Sequence, residues 1–155
     1  MAIRKIESET DRNFKLVGIG TTLRDYKLCH YLSEALESEF VKINSCEFET
    51  KDRSAKIAFS VFKTEWSIAK TLLLLFSNKN KGEILLPEAS NFDFLLKITD
   101  NTASLKTLIS EIKKIPEVIA AAEIPPKSIK HPERMQYEEI IEKQEFPILK
   151  IRRNP

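Results

Sequence analysis

Two carboxylates, Glu88 and Asp93, sit close together in the segment Leu86-Pro87-Glu88-Ala89-Ser90-Asn91-Phe92-Asp93-Phe94. Converging in a cleft, such a pair could exchange a proton as general acid and base. Held apart, each would do ordinary work. Glu88, just after Pro87, would bond a loop backbone, and Asp93 would point away from the face of Phe92 and Phe94. The structural role is the default, because charged side chains in loops and on solvent faces are common.

Other residue groups invite similar weighing. Cys29-His30 has the types for a nucleophile or a metal ligand. Nucleophilic catalysis needs a base and an orienting group, and a metal needs three or four ligands. The other histidine, His131, lies in a proline-flanked loop, so a surface histidine beside a packed thiol is the plainer expectation. Gly18-Ile-Gly20-Thr-Thr-Leu23 contains part of a dinucleotide fingerprint, with leucine in place of the third glycine. A helix N-terminus after it could hold a phosphate, but a tight strand-to-helix turn explains the same residues. Lys150, Arg152 and Arg153 form a basic end that could contact RNA. Base stacking on a sheet would further require exposed rings, and Phe59, Phe62 and Phe94 read as core.

Bulk properties narrow the field. The chain has 155 residues, 42% of them apolar and 31% charged, with a formal net charge of +2. That is one domain's length, sufficient for a core without disulfides or metal. The near balance of charge argues against a global attraction to nucleic acid or membrane. Cys29 and Cys46 form no CxxC pair or zinc spacing and are expected as reduced, buried thiols. The most apolar run, Leu72 to Phe76, is too short to cross a bilayer. The N-terminus lacks a signal-peptide pattern, so a cytoplasmic location is expected. No cofactor or metal is implied.

The elements that would position these residues follow from periodicity. Residues 1–12 are polar and charged and read as a flexible arm. Phe14 to Ile19 is apolar on both faces, the mark of a central strand. Thr22 and Asp25 suggest a capping box for a helix with its stripe on Leu28, Leu32, Ala35 and Leu36. A hairpin follows, from Phe40 to Phe48 and from Ile57 to Phe62. Thr71 to Ser77 is expected as a strand, with a turn at Asn80-Lys81-Gly82. Phe92 to Ile98 is a further strand. A helix carries Leu105, Leu108, Ile109, Ile112 and Ile115, and Pro116 ends it. Val118 to Ile124 is a last strand of small residues. Residues 125–155 read as a C-terminal extension, with a short helix over Glu133 to Gln144 and an edge strand over Phe146 to Ile151.

This order predicts a single α+β domain over 1–155. Its expected form is a ferredoxin-like sandwich: a mainly antiparallel sheet, two main helices on one face, and an inserted strand or hairpin. The helix end Ile115-Pro116-Glu117-Val118 is similar to that of small ligand-binding domains of the ACT type, a fold analogy that carries no function.

The Leu86 to Phe94 segment also resembles the signature of the bacterial IPExxxVDY family. Leu86 stands for its Ile, Phe92 for its Val and Phe94 for its Tyr. Arg24-Asp25-Tyr26-Lys27-Leu28 and Ile112 to Ile119 are similar to the family too, and the likeness runs from about Phe14 to about Ile129. The resemblance implies a bacterial cytoplasmic protein and brings no catalytic residues, since the family's function is unknown. Phe94 in the tyrosine position argues against phenol chemistry there. Asp25 and Tyr26 join Glu88 and Asp93 as candidate binding residues. The expected function is a non-enzymatic domain that binds a small molecule or another protein, paired as a homodimer through Ala120-Ala121-Ala122 at a sheet edge. The alternatives are an RNA-contacting accessory protein and a small acid/base enzyme using Glu88 and Asp93.

Overall fold

The computed structural model describes residues 14–49, 54–66, 70–99, 104–130 and 134. The expected N-terminal arm, the helix over Glu133 to Gln144, the strand over Phe146 to Ile151 and the basic end at Lys150, Arg152 and Arg153 lie outside them.

Among the described residues the fold is α+β: two α-helices and a six-stranded sheet whose ladders are all antiparallel. Strand β1 (Lys15–Thr21) leads to α1 (Asp25–Leu36), then β2 (Val41–Glu49), β3 (Lys56–Trp66) and β4 (Thr71–Ser77). A small ribbon, β5 (Lys79–Asn80) and β6 (Glu83–Ile84), and a 3-10 turn over Pro87–Ala89 precede β7 (Phe94–Ile98). Helix α2 (Leu105–Lys113) and β8 (Val118–Ile124) complete it. The order across the sheet is β2-β3-β4-β7-β1-β8.

Each helix forms where its apolar spacing demands. Leu28, Leu32 and Leu36 of α1 and Leu108 and Ile112 of α2 share one cluster with Val17, Ile19, Leu73, Leu75 and Leu96 of the sheet. Ser104 caps α2 by accepting from the Thr107 N–H at 3.4 Å. Helix α2 ends at Lys113, before the predicted Ile115, because Pro116 lies just beyond; Ile115 remains buried in the turn. The expected capping box on α1 is absent. Its N-cap is Arg24, with no side-chain cap bond, and Thr21 instead accepts the Leu23 N–H at 3.2 Å.

The second sheet face is buried as well. Leu16, Phe59, Val61, Leu74, Phe76 and Leu95 pack there under Leu85, Leu86 and Ile129. All five residues of β7 are therefore buried. Lys97 is among them, with its ammonium 5.0 Å from the centre of the Phe14 ring. One expectation fails here: Phe92 and Phe94 do not share a face. Phe94 belongs to the helix-side cluster, whereas Phe92, before the strand begins, packs on the other side.

The two N-terminal glycines also differ from expectation. Gly18 and Gly20 lie inside β1, and no turn is made of them. A Cβ at Gly18 would stand 2.4 Å from two ring carbons of Phe92. The glycine is there so that the ring can lie on the strand.

Candidate functional site

The segment after β4 is held by one side chain that sequence reasoning missed. Asn78 is fully buried. Its Nδ2 donates to the carbonyls of Ala89 at 2.9 Å and Phe92 at 3.0 Å, and its Oδ1 accepts the Leu86 N–H at 2.8 Å. The backbone of Asn78 adds two bonds, donating to Asp93 O and accepting from Leu85 N–H. A carboxamide is suited to this task because it donates and accepts at once. In the sequence it is one polar residue in a turn-like run, and no spacing singles it out.

Asn78 thereby sets the two candidate carboxylates. Glu88 accepts the Lys130 N–H at 2.7 Å, tying the loop to the segment that follows β8. Asp93 accepts the Thr21 N–H at 3.0 Å through Oδ2 and pairs with the Lys79 ammonium at 3.3 Å through Oδ1. Thr21 in turn donates to Glu117 O at 2.8 Å. The two acids share none of these partners. Each holds a backbone N–H, the bond that lets a carboxylate brace a loop.

Asp25 and Tyr26 open α1. Asp25 Oδ1 accepts the Tyr26 N–H at 2.7 Å, and the Tyr26 side chain is exposed. The Cys29-His30 pair splits between environments. Cys29 is buried, while His30 is exposed and lies 3.5 Å from Glu34. Burial, with the nearby Asp25 carboxylate, pushes the Cys29 thiol up to about 12, and burial does the same to Cys46. Both thiols are free, neutral and inert at ordinary pH. Phe59, Phe62 and Phe94 are buried, so these three rings offer no stacking surface.

A polar cavity of about 440 Å³ lies beside this hub, where α1 begins. Arg24 and Asp25 approach it from the helix, Lys42 from β2, Lys79 from β5, and Ser60 and Ser77 from β3 and β4. The two hydroxyls are 2.6 Å apart. Phe94 contributes an apolar patch to the lining. The β2 register shifts between Ile43 and Cys46, and Ser45, within that irregularity, also faces the cavity. A second cavity of about 300 Å³ lies on the opposite sheet face, between Phe48, Ile57, Phe59 and Leu85, with the Arg134 guanidinium 5.7 Å from the Phe48 ring centre. Neither Glu88 nor Asp93 lines these two cavities.

No family model, curated protein or solved structure matches the chain.

Proposed function

We propose that this chain is a non-enzymatic binding domain that works as a pair of copies joined edge to edge through β8. The carrying observation is the character of that edge. Among the described residues strand β8 lies at the end of the sheet, and it reads Val-Ile-Ala-Ala-Ala-Glu-Ile, with one charge in seven residues. Ile119 is 76% exposed, and Ala120 and Ala122 are exposed beside it. A bare edge presents unpaired N–H and C=O groups and is ordinarily blunted by charge, proline or a bulge. The opposite edge, β2, is blunted: it carries Lys42, Glu47 and Glu49 together with its register shift. Strand β8 has a shift only at its start, near Thr21 and Val118. Small side chains on β8 let a second copy approach, and a two-fold axis through Ala121 would make the contact self-complementary.

The non-enzymatic part rests on the candidate acids: Glu88 Oε2 is engaged with the Lys130 N–H, and both oxygens of Asp93 are engaged, with Thr21 and Lys79. The sheet order β8-β1-β7-β4 supports reading the core as ferredoxin-like, with β2 and β3 as the inserted hairpin. Membership in the IPExxxVDY family, and with it a bacterial cytoplasmic setting, is our reading of the Leu86 to Phe94 segment. What supports it is that its residues act as one unit: Leu86 on Asn78, Glu88 on Lys130, Phe92 on Gly18 and Asp93 on Thr21.

Sedimentation equilibrium tests the pairing against the 17.9 kDa chain mass. Twice that mass is expected, falling to the single-chain value in Ala122→Lys with its folded spectrum intact. A single-chain mass for the unaltered protein at high concentration overturns the proposal.

A further inference from the structure

We infer that the cavity at the start of α1 is a seat for a small phosphomonoester. The inference rests on reading the chain as a binding domain, and it is independent of the pairing through β8. Three cations from three elements, Arg24, Lys42 and Lys79, face one concave space that contains a single carboxylate, Asp25. The lining thus carries three positive charges against one negative. Among the described residues the side chains of Arg24 and Lys42 have no hydrogen-bond or ion-pair partner, whereas that of Lys79 is shared with Asp93. Asp25 is turned to its own backbone neighbour by the Tyr26 N–H. With Asp93 set against Lys79, Arg24 and Lys42 against Asp25 leave an excess of one positive charge, which suits an anionic group.

The hydroxyls decide the class of anion. Ser60 and Ser77 bond to each other at 2.6 Å, and one proton of that pair remains for an outside acceptor. Hydroxyl donors with an Arg fork and Lys point charges approach from several directions. That suits a tetrahedral phosphate with its several acceptor oxygens better than a planar carboxylate. The volume of about 440 Å³ falls within the range of small-molecule sites, roughly 300–1,000 Å³, and leaves room beyond the phosphate. Ala58 and the edge of the buried Phe94 give one side of the lining an apolar character.

Isothermal titration at fixed ionic strength with glycerol 3-phosphate, and with glycerol as the neutral control, tests this. Saturable binding of the ester alone is expected. Arg24→Ala and Lys42→Ala should each weaken it about tenfold, the scale of one charge-assisted bond. Lys127→Ala, remote from the cavity lining, should not. Both altered cavity residues are exposed, and thermal unfolding confirms that the variants fold; Lys42→Gln repeats the test with less change of shape. The inference is overturned by no saturable binding, by equal loss in Lys127→Ala, or by preference for a single-stranded oligonucleotide. The mass measurement is separate, so either proposal can fail alone.

Discussion

Replacing Asn78 with alanine should unlatch the whole segment from Leu85 to Asp93. The substitution removes three hydrogen bonds and leaves the Phe92 carbonyl and the Leu86 N–H without their partner, while the Ala89 carbonyl keeps the Phe92 N–H at 3.0 Å. Leu86 and Ala89 are buried, so water cannot replace the carboxamide there. An unsatisfied buried group costs about 1–3 kcal/mol. The Phe92 carbonyl is only partly buried and belongs at the low end of that range. The sum for the two orphaned groups is about 2–4 kcal/mol, a substantial part of the roughly 5–15 kcal/mol that holds a domain together. Urea unfolding with an unchanged slope is the assay. Asn78→Asp sharpens it, being nearly the same shape. Its acceptor still meets Leu86, but its second oxygen faces two carbonyls, so the protonated form is favoured in the folded state. The folded pKa is then raised above the unfolded value of about 3.9, and the variant's deficit against the unaltered protein should be smallest below about pH 4 and grow as pH rises. A loss under about 1 kcal/mol for Asn78→Ala would refute the latch.

Gly18→Ala should cost about 1–3 kcal/mol by overpacking against the Phe92 ring, and most of that cost should vanish in a Phe92→Ala background, as a double-mutant cycle would show. Glu37 closes α1 in the left-handed region, with φ of 52°, so Glu37→Gly should stabilise the fold by about 0.5–1 kcal/mol in thermal unfolding. The folded pKa values of Cys29 and Cys46, about 12, stand above the ordinary value of 9.0. Stability from the neutral thiols is therefore full below pH 9 and lost as pH rises towards 12, by up to about 1.4 kcal/mol per pH unit for each thiol. Cys46→Ala should lessen that slope, and a thiol reagent at pH 8 should label either cysteine only as fast as the protein opens.

Periodicity alone determined most of the described elements. Leu105, Leu108 and Ile112 could fall on one face only as a helix, and the apolar run from Phe14 to Ile19 could be satisfied only by a strand covered on both sides. Burial of the cysteines followed from the same patterns. Side-chain spacing reports which way a residue points along its own element, and here that was enough to foresee the alternation of helices and strands.

The site was a different matter. Arg24, Lys42 and Lys79 meet only because the sheet order sets β2, β3 and β4 beside the start of α1, and nothing local in the chain encodes that order. The partners of Asn78 are backbone atoms of Leu86, Ala89 and Phe92, which every sequence possesses. Gly18 and Gly20 read in sequence as a tight strand-to-helix turn, but they lie within β1, where the Phe92 ring, 74 residues after Gly18, rests on the strand. Short-range pattern specifies what a residue is; which distant backbone or charge it meets is decided when the sheet closes and water leaves both faces.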